Sequence, residues 1–381
     1  MNFLIACGGT AGHINPALAI AAELRRRIPG AKILFVGADK DLEKKLIPSA
    51  GYHLVNIRMS GLRRGYSAED ILYNVKTLRN LTTASVKAGN LIDRFKPDAV
   101  IGTGGYICYP VLRRAAQMGI PTAIHGSDAV PGLTTKLLSA TVDRVLVSFP
   151  GLEKHYRRPE RVVFTGTPVR RGFEQIPENT DRQEKKLRPL VVSFWGSLGA
   201  ERMNETIAEL IKLNMISGRF DHIHATGKKG GVEDMIARLR RLGAEGELPP
   251  GIEIREYIDD MAPVMASADL VVCRSGASTL AELTVMGKPA VLVPSPYVTN
   301  NHQEENAKQL QKAGGAVMLA EKDCTGEILY DTVTSLIGDS DRLTRMSFAQ
   351  KSIAAPNATE KIADIVLELC NSKKENGQKE R

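Results

Sequence analysis

Short apolar runs, each ending in a glycine-rich or small polar turn and followed by helix-forming residues, recur along the chain and fix its fold class. The first run, Phe3-Leu4-Ile5-Ala6, leads into Cys7-Gly8-Gly9-Thr10-Ala11-Gly12-His13-Ile14-Asn15-Pro16 and then into Ala17–Arg25, rich in strong helix formers. Pro16 suits the first turn of that helix and the basic residues suit its end. A glycine turn between a strand and a helix start offers free N–H groups and the positive end of a helix dipole, which together attract an anion. Further runs follow at Ala31–Gly37, Leu54–Ile57, Pro97–Ile101, Pro121–Ile124, Arg144–Ser148 and Val162–Thr165, with a long helix predicted from about Ala68 to Phe95. Alternation of this kind predicts an α/β fold, a parallel sheet covered on both faces.

After a charged stretch at residues 172–186, read as a linker or an exposed start to the second domain, the alternation restarts. Strands are predicted at Pro189–Ser193, Asp221–Ala225, Gly251–Arg255, Leu270–Cys273 and Pro289–Val293, with helices to Leu369 and a disordered polar tail at 371–381. Two doubly wound, Rossmann-like halves facing each other across a cleft are the outline of a nucleotide-sugar transferase. Two-domain dehydrogenases and nucleotide ligases share it. In such sheets the ligand lies beyond the carboxyl ends of the strands. The turns Gly8–His13, Gly102–Tyr106 and His125–Asp128 all follow strands directly, so they converge on one edge.

The chain's 381 residues, 43% of them hydrophobic, are enough for two cores. Its five cysteines are widely spaced and odd in number, which suits buried thiols in a reducing compartment. The chain has neither a membrane-spanning apolar run nor a basic leader, so the reading is cytoplasmic. The formal charge of +8 is concentrated: Arg58 to Lys96 carries eight basic residues against three acidic. Apolar residues interleave with them, a pattern that suits either a core-packing helix with a solvated basic back or contact with an anionic bilayer. Nucleic acid is the weakest partner, since it leaves the glycine turns without a purpose.

The chemistry narrows by elimination. Gly8-Gly9-x-x-Gly12 is not the dinucleotide spacing, and Asp39 lies beyond the expected offset of a ribose-binding acid. The triphosphate loop, the zinc motifs and the hydrolase elbow are missing. What remains is Arg274-Ser275-Gly276-Ala277-Ser278-Thr279-Leu280-Ala281-Glu282, followed after the next strand by Asn301-His302-Gln303-Glu304-Glu305-Asn306. Arg274, Ser275 and Gly276 at a helix start suit a diphosphate. Glu282 is placed to accept hydrogen bonds from a ribose diol, or else is an exposed acid on a capped helix. Gln303 and Asn306 supply neutral amides for sugar hydroxyls.

These motifs resemble those of a known family. The run Gly8–Ala19 closely resembles the opening motif of the MurG family, the peptidoglycan N-acetylglucosaminyltransferases. Val130–Thr134, Gly166–Arg170, Gly196–Ala200, Arg274–Glu282, Pro294–Tyr297 and Asn301–Ala307 resemble its later blocks in order, over essentially the full length. The resemblance implies a GT-B glycosyltransferase. It would move N-acetylglucosamine from UDP-GlcNAc, with inversion, to the 4-hydroxyl of an undecaprenyl-diphosphate-linked muramoyl pentapeptide (lipid I to lipid II). It implies neither metal nor cofactor, and a peripheral position on the cytoplasmic face of the inner membrane, in service of cell-wall growth and division. The domains would be 1–168 on the acceptor and membrane side, joined by C-terminal helices 347–370, and 169–346 for the donor.

The resemblance further implies His13 as general base, and an imidazole titrating near neutrality suits that task. Thr10, Ala11, Gly12, Asp128, Arg170, Ser197, Ile258, Arg274–Glu282, Gln303 and Asn306 would bind the donor or its surroundings, Ile258 beside the uracil and Glu282 on the ribose. Gly104, Gly105, Tyr106 and His125 would lie on the acceptor side. The chain departs from the family pattern at Gly126-Ser127-Asp128, where the family has Glu-Gln-Asn after the histidine, and at Trp195, where it has glycine. Tyr109 is bulky for its place after the Gly-Gly-Tyr turn. A sister GT-B transferase with another acceptor, a UDP-sugar epimerase, and a paralogue that binds without catalysis are the alternatives.

Overall fold

The computed structural model describes residues 1–59, 61, 67–169, 171–174, 188–196, 199–228, 230–244 and 246–379. It divides the chain into two compact units, Met1–Arg170 with Ala355–Arg381 and Arg171–Ala354. Each is built on one parallel sheet.

The first unit's strands are β1 (Asn2–Ala6), β2 (Lys32–Gly37), β3 (His53–Asn56), β4 (Ala99–Gly102), β5 (Thr122–Gly126), β6 (Arg144–Val147) and β7 (Val162–Phe164). They lie in the order β3-β2-β1-β4-β5-β6-β7, all neighbours parallel. Alternate side chains go to opposite faces, as strand geometry requires. Leu4, Ala6, Val36 and Val100 join the core under the helix Ala68–Phe95 and the helix Cys108–Gln117. Phe3, Ile5, Phe35 and Ile101 join the core under the helix Ala11–Arg27, which the C-terminal helix Ala358–Lys379 completes with Ile362, Ala363 and Val366. Each fully buried Leu, Ile, Val or Phe side chain here is worth about 1.5–3 kcal/mol.

The second unit's strands are β8 (Leu190–Phe194), β9 (Asp221–Ala225), β10 (Ile252–Arg255), β11 (Leu270–Cys273), β12 (Ala290–Leu292) and β13 (Ala316–Met318). Their order, β10-β9-β8-β11-β12-β13, repeats the first six positions of the other sheet. In both, the strand order reverses beside the first strand, which is the Rossmann topology with its switch point.

The structure differs from the sequence reading in four places. The first helix starts at Ala11, because the turn at Gly9 (φ 90°) makes Thr10 the residue that accepts from His13 and Ile14 N–H at 3.1 and 3.2 Å. Pro16 therefore lies in the second turn, where its missing N–H leaves the Gly12 carbonyl out of the helical ladder. The tail read as disordered continues the helix Ala358–Lys379, since adding residues to a formed helix costs far less than starting one. The chain returns to the first unit after Ala354 and not at 347, because the helix Ser340–Ser352 is held in the second unit by Gln350, which donates to Gly315 O at 2.9 Å. Strand β13 was not anticipated; three residues at a sheet edge carry little pattern. Most of the 172–186 linker lies outside the described residues.

Candidate active site

The switch point of the first sheet lies between β1 and β4, and the turns that leave these two strands interlock there. His13 sits on the first turn of its helix, and its Nδ1 lies 2.8 Å from the carbonyl oxygen of Gly8. A carbonyl can only accept, so Nδ1 carries a hydrogen, and in the neutral ring Nε2 is the nitrogen with the lone pair. Thr103 Oγ1 donates to the backbone oxygen of His13 at 2.7 Å. Gly104 (φ 119°) lies against the imidazole, where a methyl group would overlap the ring. A methyl on Gly105 (φ 88°) would overlap the Gly8 carbonyl. The two glycine turns thus fix the imidazole from both sides.

Thr10 is exposed, and Ala11, Gly12 and His13 are half-buried. The first helix has no side-chain cap and no acid in its first turn, so the N–H groups of Ala11 and Gly12, ahead of those that donate to Thr10, stay open to an anion. The Gly9 amide is an exception. It donates to the Glu43 carboxylate at 2.9 Å.

Of the acceptor-side residues, Tyr106 packs against the first core with its hydroxyl pushed up in pKa by burial. His125 is fully buried in β5, its Nε2 donates to Gly166 O at 3.0 Å, and desolvation lowers its pKa to about 4. Its ring is a neutral group in the interior of the first unit. Asp128 is half-buried in the turn beyond it, where its charge acts on His125. Arg170 and Ser197 lie outside the described residues.

In the second unit the switch point lies between β8 and β11. The helix Ala277–Met286 starts there from Gly276 with no side-chain cap and no acid in its first turn. The leading N–H groups at Ala277, Ser278 and Thr279 therefore face a position that favours negative charge. Ala277, Ser278, Thr279 and Ala281 are half-buried. Glu282 is nearly buried in the second turn. Gly199 (φ 75°) closes the opposite turn, where a side chain would overlap Thr226 O.

Several polar side chains expected on the ligand instead hold this loop together. Ser275 is fully buried and donates to Gln303 O at 2.7 Å. Asn306 is fully buried and donates to Ser275 O at 3.2 Å. Both side chains are withdrawn from any ligand, because the turn's own backbone needs partners. Leu280 and Ile258 are also buried, Leu280 beneath the helix start. Arg274 pairs with the buried Glu321 at 2.6 Å, donates to Val293 O at 3.0 Å and lies 5.7 Å from the Trp195 ring centroid. Its charge is compensated within the protein. Gln303 has its orientation set by Ser295 N–H, which donates to Oε1 at 2.9 Å and leaves the NH2 group as the donor.

The glycosyltransferase family 28 N-terminal domain matches residues 3–147, and the glycosyltransferase family 28 C-terminal domain matches residues 190–366. The chain is 43% identical over 98% of its length, and 99% of the other chain, to a curated UDP-N-acetylglucosamine–N-acetylmuramyl-(pentapeptide) pyrophosphoryl-undecaprenol N-acetylglucosamine transferase of Acetivibrio thermocellus. A transferase of the same name from Ruminiclostridium cellulolyticum is 41% identical over 97% of this chain and all of its own. The crystal structure of Acinetobacter baumannii MurG superposes with a TM-score of 0.74 at 27% identity, covering 97% of this chain and 100% of that one. The chain belongs to the MurG family.

In this MurG-family chain, sequence reasoning missed Glu43 and Glu321, the two buried acids behind the two switch points. Only the structure shows why Glu43 fits there: Gly8, two residues past β1, and Gly37, the last residue of β2, have no left-handed backbone, and a methyl on either would run into the Glu43 carboxylate. Neither acid carried a signal in the sequence, Glu321 lying in a short charged turn after β13.

Proposed function

We propose that this chain transfers N-acetylglucosamine from UDP-GlcNAc, with inversion, to the 4-hydroxyl of undecaprenyl-diphosphate-linked N-acetylmuramoyl pentapeptide. The observation that carries this reading is the near full-length identity to curated transferases of that name. The geometry supports the division of labour. His13 Nε2, unprotonated and held by the two glycine turns, takes the proton of the attacking hydroxyl. In the second unit, the open N–H groups at Ala277–Thr279 receive the donor diphosphate, whose charge grows as the sugar leaves. Glu282 accepts from the ribose hydroxyls, and the Gln303 NH2 donates to the hexose. A diphosphate leaving group is weakly basic, so the reading requires no cofactor.

The acceptor is a lipid, and the reading places the chain peripherally on the cytoplasmic face of the membrane. Among the described residues no helix is long and apolar enough to cross a membrane. The helix Ala68–Phe95 exposes Ile71, Leu72 and Val86 beside exposed Lys87, and the short helix Leu133–Leu138 exposes Leu133 and Leu137. Apolar side chains with adjacent cations suit an anionic bilayer surface. Arg63 and Arg64 of the basic stretch lie outside the described residues.

Incubating the protein with radiolabelled UDP-GlcNAc and the purified lipid-linked muramoyl pentapeptide in detergent tests the reading. A labelled disaccharide lipid is expected only when both are present. Conversion of the donor without acceptor would support the epimerase alternative instead.

A further inference from the structure

We infer that Glu43 is a positioning residue for His13 and acts on it through a single peptide bond. The inference rests on the reading of His13 as the base. Gly8 C=O and Gly9 N–H belong to the same peptide unit. The N–H donates to Glu43 Oε1 at 2.9 Å, and the C=O accepts from His13 Nδ1 at 2.8 Å. The peptide is trans, so its two ends point in opposite directions and the carboxylate and the imidazole lie on opposite sides of it. The resulting chain is carboxylate, peptide, imidazole.

Hydrogen bonds in series polarise one another. A carboxylate drawing on the Gly9 N–H makes the Gly8 oxygen a stronger acceptor for Nδ1–H. When Nε2 takes the hydroxyl proton the ring becomes positive, and that oxygen, backed by the carboxylate, stabilises the charge. This is the task of the aspartate in a hydrolase triad, with a peptide interposed. The proton on Nδ1 stays where it is.

The setting is built around this acid. Glu43 is fully buried, and its other oxygen accepts from Lys40 N–H at 3.3 Å, so both oxygens face N–H donors. Room for it exists because Gly8 and Gly37 lack side chains. A buried carboxylate is costly, and a helix-start acid with no further role has no reason to be enclosed by two strand ends. The titratable groups near it are neutral: burial pushes the Cys7 thiol well up, Cys108 to about 12, and Tyr106 up as well. On the far side, His125 is held neutral by burial. The neighbouring cations Lys44 and Arg58 are paired with Asp39 at 2.8 and 3.1 Å.

The test is Glu43→Gln, which keeps the shape and removes the charge, assayed for kcat against pH on the lipid acceptor. We expect kcat to fall about tenfold, the lower end of what losing an outer partner costs a working histidine. Its acid limb should move to lower pH, because a less stabilised imidazolium loses its proton more readily. The Kd for UDP-GlcNAc should stay unchanged. In a His13→Ala background, Glu43→Gln should add less than about twofold, since the two act as a unit. An unchanged kcat and pH profile in a folded Glu43→Gln protein, or the same tenfold loss on top of His13→Ala, overturns the inference. Should Glu43→Gln fail to fold, Gly37→Ala displaces the carboxylate from the strand side without touching His13. The same acid-limb shift is expected, and its absence is equally decisive. Near-normal turnover in His13→Ala alone would instead remove the base assignment on which the inference rests.

Discussion

The turn after β1 in the first unit and the turn after β11 in the second both flank the switch point of the same topology, yet they dispose of their polar groups differently. After β1, the Gly9 N–H is taken by an internal carboxylate and the Gly8 C=O holds a histidine. After β11, the buried side chains tie the turn to its neighbours through Ser275 and Asn306, and the helix start is left uncapped. Both helix starts lack a side-chain cap, but only the first edge also holds an imidazole by its Nδ1, while the second offers open amides alone. The topology supplies a place for a ligand, and the hydrogen bonds made inside each turn decide what kind of ligand it suits.

The sharpest way to break this contrast is to remove the imidazole. His13→Ala should lower turnover by roughly 100-fold or more while UDP-GlcNAc affinity, measured by calorimetry, stays within about twofold. Equal losses in both would mean that the two edges do not divide the work. Gly104→Ala comes next, because its methyl must displace the imidazole from a backbone already at φ 119°. A fall in kcat between about tenfold and a hundredfold is expected, with donor KM nearly constant. Glu282→Gln addresses the other edge. Loss of a charged acceptor should raise the KM for UDP-GlcNAc about tenfold and leave kcat nearly unaltered. If kcat falls in its place, Glu282 acts in the chemical step.

The smallest effect concerns stability. His222 and His224 share the Ser193 hydroxyl inside the second unit, at 2.8 and 2.7 Å. Burial lowers His222 to about 3 and His224 well below its ordinary value, whereas the first unit buries His125 at about 4. Groups held neutral in the fold contribute fully above the unfolded value near 6.5, and that contribution is lost as pH falls towards the folded values. Scanning calorimetry from pH 7 to pH 4 should show the second unit's transition falling more steeply than the first's. A steeper fall in the first unit would contradict this account.

Much of this was legible in the sequence because it is local. Strand, glycine turn and helix are contiguous from Phe3 to Arg25, so the first switch point and His13 could be read directly. The strand order was legible only as a class, since pairing joins residues far apart. Glu43 was hidden by its setting, Asp41-Leu42-Glu43-Lys44-Lys45, which reads as a solvated helical face. The error at Ser275 and Asn306 has a physical source. A polar side chain in a glycine-rich turn reads the same whether it serves a ligand or the turn's own carbonyls, and only burial separates the two. The burial of His125 was not legible for a related reason: a histidine at the end of a strand is as easily inside the sheet as beyond it.

The hydrogen bond from Nδ1 to the Gly8 oxygen makes the neutral His13 ring the Nδ1–H tautomer, with a bare Nε2. Nitrogen-15 chemical shifts of histidine-labelled protein above neutral pH, with the His13 signal assigned by its loss in His13→Asn, measure this directly. The account predicts a protonated-type Nδ1 and an unprotonated-type Nε2. The opposite pattern would mean that Nδ1 does not donate to the Gly8 oxygen and would contradict it.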